Sequence, residues 1–142
     1  MHKASITGAL LAALLLAGAG CPAQTQPSAP AESEAPSSTE TAASEVVITF
    51  TETGYSPSSV TIKKGGTVTF VNESEKDMWP ASAMHPTHKV YPTTGGCIGS
   101  TFDACTRVKT SDAWSFSFDE VGEWKFHDHL SPSFFGSITV VE

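Results

Sequence analysis

"VTIKKGGTVTFVN", Val60–Asn72, decides how the rest of this chain is read. On either side of Lys63-Lys64-Gly65-Gly66 stands a short run of Val, Ile, Thr and Phe. Branched and aromatic side chains of this kind suit a pleated, half-buried surface. In the second run the apolar residues Val68 and Phe70 recur at every second place, which is the period of a strand. The same signature returns in "VVITFT" from Val46, "AWSFSF" from Ala113, "EWKFHDH" from Glu123 and "SITVV" from Ser137, while "GYSPSS" from Gly54 reads as a turn. No stretch of the folded part carries a helical period, and no internal repeat is present. Six or seven short strands in roughly 100 residues predict an all-β domain, an antiparallel Greek-key β-sandwich.

Upstream of these strands the composition changes twice. "MHKASITGALLAALLLAGAGC" has a basic start at Lys3, an apolar run and then small residues before Cys21. That order reads as an export signal over residues 1–21, and its apolar run is shorter than the roughly 20 residues a membrane span needs. Pro22 to Glu45 is built from Pro, Ala, Ser, Thr, Gln and Glu with no aromatic residue. Such a segment buries too little apolar surface to order itself and suits a flexible spacer. The folded domain is therefore expected over residues 46–142. The chain of 142 residues carries a net charge of −7 and no cluster of Lys or Arg, which argues against a nucleic-acid partner.

Two cysteines remain inside the domain, Cys97 and Cys105, in "CIGSTFDAC". Export brings them into an oxidising compartment, where a disulfide is the expected state. The alternative is a pair of thiolate metal ligands.

Between the strand pattern ending at Asn72 and the one starting at Ala113 lies a long irregular region, about Glu73 to Ser111. Loops of this length in compact domains are usually functional or disordered. Met78, Trp79, Met84 and Tyr91, with several prolines, make this one too apolar and too stiff for disorder. It also holds His85 and His88, in "MHPTH". The other histidines of the domain are His127 and His129, in "HDH". Two residues apart on a strand, His127 and His129 share a side and can share a metal; alternatively they are two exposed polar residues at a strand end. Pro86 stiffens the turn that would bring His85 and His88 together, and the alternative there is plain surface polarity. By alternation Trp124, Phe126 and Asp128 face the core, so both His127 and His129 are expected to point out of the sandwich unless a bulge intervenes. Asp128 is a candidate extra ligand or a partner fixing a ring, although alternation turns it away from both. Met84 is a soft candidate ligand and Trp79 a cation-attracting face; packing of the long loop is the competing reading for both.

Two stretches bear a family likeness. "GYSPSSVTIKKGGTVTFVNES" resembles the opening of cupredoxins, the small copper-binding β-sandwiches, and "FDEVGEWKFHDHLSPSFFGSITVVE" resembles their close. The likeness implies a cupredoxin-like sandwich whose ligands gather at one end. It also implies a departure. Where that family carries Cys, His and Met in its last loop, this chain has Asp128, Ser131 and Phe134. A blue copper centre needs a cysteine thiolate, so a standard one is excluded. "WKFHDH" is instead similar to the H-x-H motif of multicopper oxidase domains, which implies a non-blue site. Cys21 after "AGAG" resembles a bacterial lipoprotein cleavage site, although Gly18 stands where that motif usually has Leu. This implies a lipid anchor at Cys21 and a place outside the cytoplasmic membrane, in the periplasm or at the cell surface; the alternative is ordinary cleavage near the same place, leaving Cys21 free or paired.

The metal site expected from these readings is His85, His88, His127 and His129. Imidazole suits several metals, Cu(II) with the highest affinity, and the resemblance adds weight to copper over zinc. No hydrolase constellation accompanies the histidines. Three functions remain open: a tethered copper protein for electron transfer or copper handling, with a redox or copper-delivery partner; a small copper oxidoreductase acting on oxygen or nitrogen oxide species; and a non-redox binder of zinc or copper.

Overall fold

The computed structural model describes residues 42–142, and these contain seven strands and no helix. The export signal, Cys21 and the Pro22–Thr41 stretch lie outside the described residues. The first strand, β1 (Ala43–Thr51), starts ahead of the boundary expected at Val46, because Ala43 pairs with Ile62 and Glu45 with Thr67. It is followed by β2 (Gly54–Ser56), β3 (Ser59–Asn72), β4 (Pro80–Ser82), β5 (Ala113–Phe118), β6 (Gly122–Asp128) and β7 (Phe135–Val141). The expected run at Ala113–Phe118 is reproduced to the residue. The segment read as a turn at Gly54 contains β2, an edge strand that pairs Phe50 with Tyr55.

The quoted stretch Val60–Asn72 carries the architecture. Its two halves lie within one strand, β3, but pair with different partners. Residues Ser59–Lys63 run beside β7, with Ile62 also beside Ala43 of β1, whereas Gly66–Val71 lie against β5 and Thr67–Asn72 against β1. The change of partner falls at Gly65 and Gly66. Gly65 takes a φ of +76°, and a Cβ on Gly66 would stand 2.7 Å from the Lys63 carbonyl oxygen. Only glycine accepts both conditions cheaply. β3 thereby links β2, β1 and β5 to β7, β6 and β4.

Both groups of strands send side chains into one core. Ile48 and Phe50 of β1, Ile62, Val68 and Phe70 of β3, Phe118 of β5, Phe126 of β6 and Ile138 and Val140 of β7 are all buried in it. The sandwich is mixed rather than purely antiparallel, since β1–β3 and β3–β7 are parallel pairs. Alternation reveals a strand but not the direction of its neighbour, which is why these two parallel pairs depart from the antiparallel expectation.

The long region after β3 is folded, not loose. Met78, Tyr91, Phe102 and Val108 are buried in the same core. Met78 and Val108 exchange backbone hydrogen bonds, and β4 pairs with β6 through Pro80–Asp128, Ala81–His127 and Ser82–Phe126. This region therefore lies beside β6 and encloses the end of the strand that carries His127.

Candidate metal centre

Strand β6 delivers Phe126, His127 and Asp128 in succession, and all three are buried. Phe126 enters the core, where its ring meets Tyr55 and Phe70. His127 is on the opposite side, as alternation requires, but that side is not open to solvent. The long loop folds over it and leaves His127 only 4% exposed. The expectation that both histidines point out of the sandwich is corrected for this reason: alternation sees the strand and not what covers it.

The loop brings its own two histidines to the same place. A turn at Met84–Thr87 is closed by the amides of Thr87 and His88, which donate to the Met84 carbonyl oxygen at 2.8 and 3.1 Å. His88 leaves it with a φ of +52°. That left-handed conformation is rare outside glycine, and such residues cluster at sites where the surroundings enforce them. The His88 side chain is fully buried.

Candidate ligand atoms of His85, His88, His127 and His129 all lie within 4.8 Å of one another. The ring centres define the shape. His85–His88 and His127–His129 are the diagonals, each 6.4 Å. The four sides measure 4.8, 4.9, 5.0 and 5.4 Å. A regular tetrahedron would make all six distances equal, and a flat square of these sides would need longer diagonals. The rings therefore form a flattened tetrahedron. His88 Nε2 and His129 Nδ1 approach each other to 2.9 Å.

His127 tests whether a metal suits this cluster. Neither its Nδ1 nor its Nε2 has a hydrogen-bond partner, although both are buried. An unpaired buried polar group costs roughly 1–3 kcal/mol, and nearly all such groups in folded proteins are paired. A cation among the four rings would engage one of these two nitrogens. Burial first, and then the rings of His88, His85 and His129, push His127 down to about 4 from its ordinary value of 6.5. Burial and the His88 and His85 rings also lower His129. Both are neutral at ordinary pH, so each holds the free lone pair that a metal ligand needs.

One essential residue of the site escapes sequence reasoning. Asp103, from the loop between Cys97 and Cys105, places Oδ2 at 2.6 Å from His88 Nδ1. Its Oδ1 accepts from Trp79 Nε1 at 2.7 Å and from the Cys105 amide at 2.9 Å. A signal for it existed: Asp103 is the one carboxylate between Met78 and Ser111, and a metal-binding imidazole commonly donates its second N–H to such a group. Cys97 and Cys105 are joined in a disulfide, so the thiolate-ligand alternative is set aside. Their loop packs against the histidine turn, where a Cβ on Gly99 would collide with the Thr87 carbonyl oxygen.

The remaining candidates take other positions. Trp79 does not lie in the histidine cluster; its ring lies against that of His129 at 4.7 Å, and its carbonyl accepts from the His129 amide at 2.8 Å. Met84 is 68% exposed and contributes its carbonyl, so neither the ligand reading nor the packing reading describes its side chain. Asp128 is neither a ligand nor a ring partner. It points the other way and accepts from Tyr55 Oη at 3.1 Å, the Trp79 amide at 2.7 Å and the Ser131 amide at 2.7 Å. Asp128, Ser131 and Phe134 are instead tied to each other through their backbones, with Asp128 N donating to Phe134 O at 2.8 Å and Phe134 N to Ser131 O at 2.9 Å.

A mixed β-sandwich closed by this strand pair and loop has the cupredoxin fold. A purple cupredoxin from Nitrosopumilus maritimus superposes with a TM-score of 0.55 at 21% identity, covering 68% of this chain and 99% of its own. A reduced Cu(I) form of an amicyanin variant gives 0.54 at 21% identity, covering 72% of this chain and 87% of that one. The oxidised state of another amicyanin variant gives 0.55 at 20% identity, with coverages of 69% and 83%. No family model and no curated protein matches the sequence. At this identity the likeness concerns the fold.

Proposed function

We propose that this chain is a membrane-tethered copper protein acting outside the cytoplasm, with a non-blue centre made by His85, His88, His127 and His129, and that it serves electron transfer or copper handling. The observation that carries the reading is His127, buried among three other imidazoles with both ring nitrogens unpartnered. Several of the amicyanin neighbours are described as Cu(I) forms, which favours copper over zinc. Bound there, copper would supply a one-electron couple. The protein's own share is to keep His127 and His129 neutral, to fix the directions of the rings and to bury two of them. With Cys97 and Cys105 bonded to each other, no thiolate is free among the described residues. The lipid anchor at Cys21 rests on the sequence motif alone.

The test is a copper titration of the purified protein followed by electron paramagnetic and visible absorption spectra. A one-to-one Cu(II) complex with nitrogen coupling and weak visible bands is expected. An intense thiolate charge-transfer band, or tight binding of zinc with no uptake of copper, overturns the assignment. A second reading, a small copper oxidoreductase, draws on His85, the one exposed ring, which opens a corner of the cluster to small oxygen or nitrogen oxide species. Catalytic consumption of such an oxidant by the copper-loaded protein would favour it.

A further inference from the structure

We propose that Asp103 is the positioning residue of this centre, fixing which nitrogen of His88 faces the other rings and seating His129 through Trp79. The inference rests on the metal-centre reading above. Three donors converge on this buried carboxylate: His88 Nδ1, Trp79 Nε1 and the Cys105 amide. A carboxylate is acceptor-only, so the proton of that contact belongs to His88 Nδ1. The nitrogen left to face the cluster is Nε2, and it is the atom 2.9 Å from His129 Nδ1. The second oxygen holds the Trp79 indole, whose ring lies against His129. One side chain thus orients a ligand from the loop and a ligand from the end of β6. The loop carrying Asp103 is closed by the disulfide and pressed against the backbone of Thr87 and His88 at Gly99, so the carboxylate cannot drift from the ring it holds.

Asp103→Asn is a sharp test because it changes almost no volume. Asparagine has one acceptor oxygen, and two of the three donors meet on the Oδ1 side. The oxygen is expected to stay with Trp79 and Cys105, and the NH₂ group then faces His88 Nδ1. That forces the His88 proton onto Nε2, into the cluster. The readout is nitrogen-15 NMR of the metal-free protein, well above the ordinary imidazole pKa of about 6.5, together with copper affinity. Native His88 is expected as the Nδ1–H tautomer and the variant as Nε2–H, with copper affinity lower by roughly 10- to 100-fold. Native His88 in the Nε2–H form overturns the proposal without any variant. So does a variant with unchanged tautomer, or one with switched tautomer and native affinity. The native tautomer as expected, with no copper bound by the native protein, would instead sink the metal reading and leave the Asp103 geometry standing. Trp79→Phe, which keeps a ring against His129 but removes the indole N–H, is expected to weaken copper binding several-fold without altering the His88 tautomer. Native affinity in that variant overturns the His129 half of the proposal.

Discussion

His127 and Asp128 are neighbours on β6, both polar and both buried, and they are served in opposite ways. Asp128 has a donor for each oxygen: Tyr55 and the Trp79 amide at one, the Ser131 amide at the other. His127 has two ring nitrogens and no partner for either. A buried group whose hydrogen bonds are complete holds the fold together. One whose hydrogen bonds are missing beside three like groups is kept for something else. The contrast separates scaffold from site at adjacent positions of a single strand.

The largest expected effect breaks the scaffold side. Asp128→Ala leaves the Tyr55 hydroxyl and the Trp79 amide without their acceptor, while the Ser131 amide keeps the backbone carbonyl of residue 128, and should destabilise the protein by about 2–5 kcal/mol, read as a lowered urea midpoint. A loss below about 1 kcal/mol would mean that Asp128 is not the tie described. The matching change on the site side, His127→Ala with His129→Ala, should abolish tight copper binding while the β-sheet circular dichroism persists. Copper affinity equal to that of the native protein would remove these rings from the ligand set.

A smaller effect comes with acid. The folded value of His127 lies near 4 and its ordinary value at 6.5. Above the ordinary value both folded and unfolded states are neutral and stability is full. Between the two, the unfolded chain takes up a proton that folded His127 refuses, so stability falls as pH falls. Metal-free protein should lose up to about 2 kcal/mol between about pH 7 and about pH 5, and His127→Ala should remove much of that slope. A slope unchanged by the substitution would place its origin elsewhere. The smallest effect concerns the loop behind His88. Replacing Cys97 and Cys105 with Ser should weaken copper binding several-fold and leave the Asp128 ties untouched. In the native protein, thiol labelling under denaturing, non-reducing conditions should find Cys97 and Cys105 unreactive.

The strands were legible where alternation is local. Val68 and Phe70, or Trp114 and Phe116, announce themselves within a few residues. β4 did not, because a strand of three residues beginning at Pro80 has no period to read and is held in place by pairing with β6. The four histidines could be identified as a set because two tight pairs with no other histidine in the domain form a pattern. Their burial could not, since it depends on the loop that closes over β6. Asp103 was passed over for the same reason: its meaning lies in a contact with His88 across the loop and not in its neighbours in sequence. Asp128 stands beside two histidines and so suggests their chemistry, but alternation already turns it away from both rings, and it is found against Tyr55.

The gradient of exposure across the four rings has a kinetic consequence. His88 and His127 are sealed, His129 is half-covered and His85 stands in solvent. A competing chelator would therefore meet His85 first, on the Met84–Thr87 turn, before the half-covered His129. With an ion bound as proposed, exchange would begin at the exposed His85 and be completed at the sealed His88 and His127, so how readily the turn carries His85 away would bear on how fast a centre of high affinity hands over its ion.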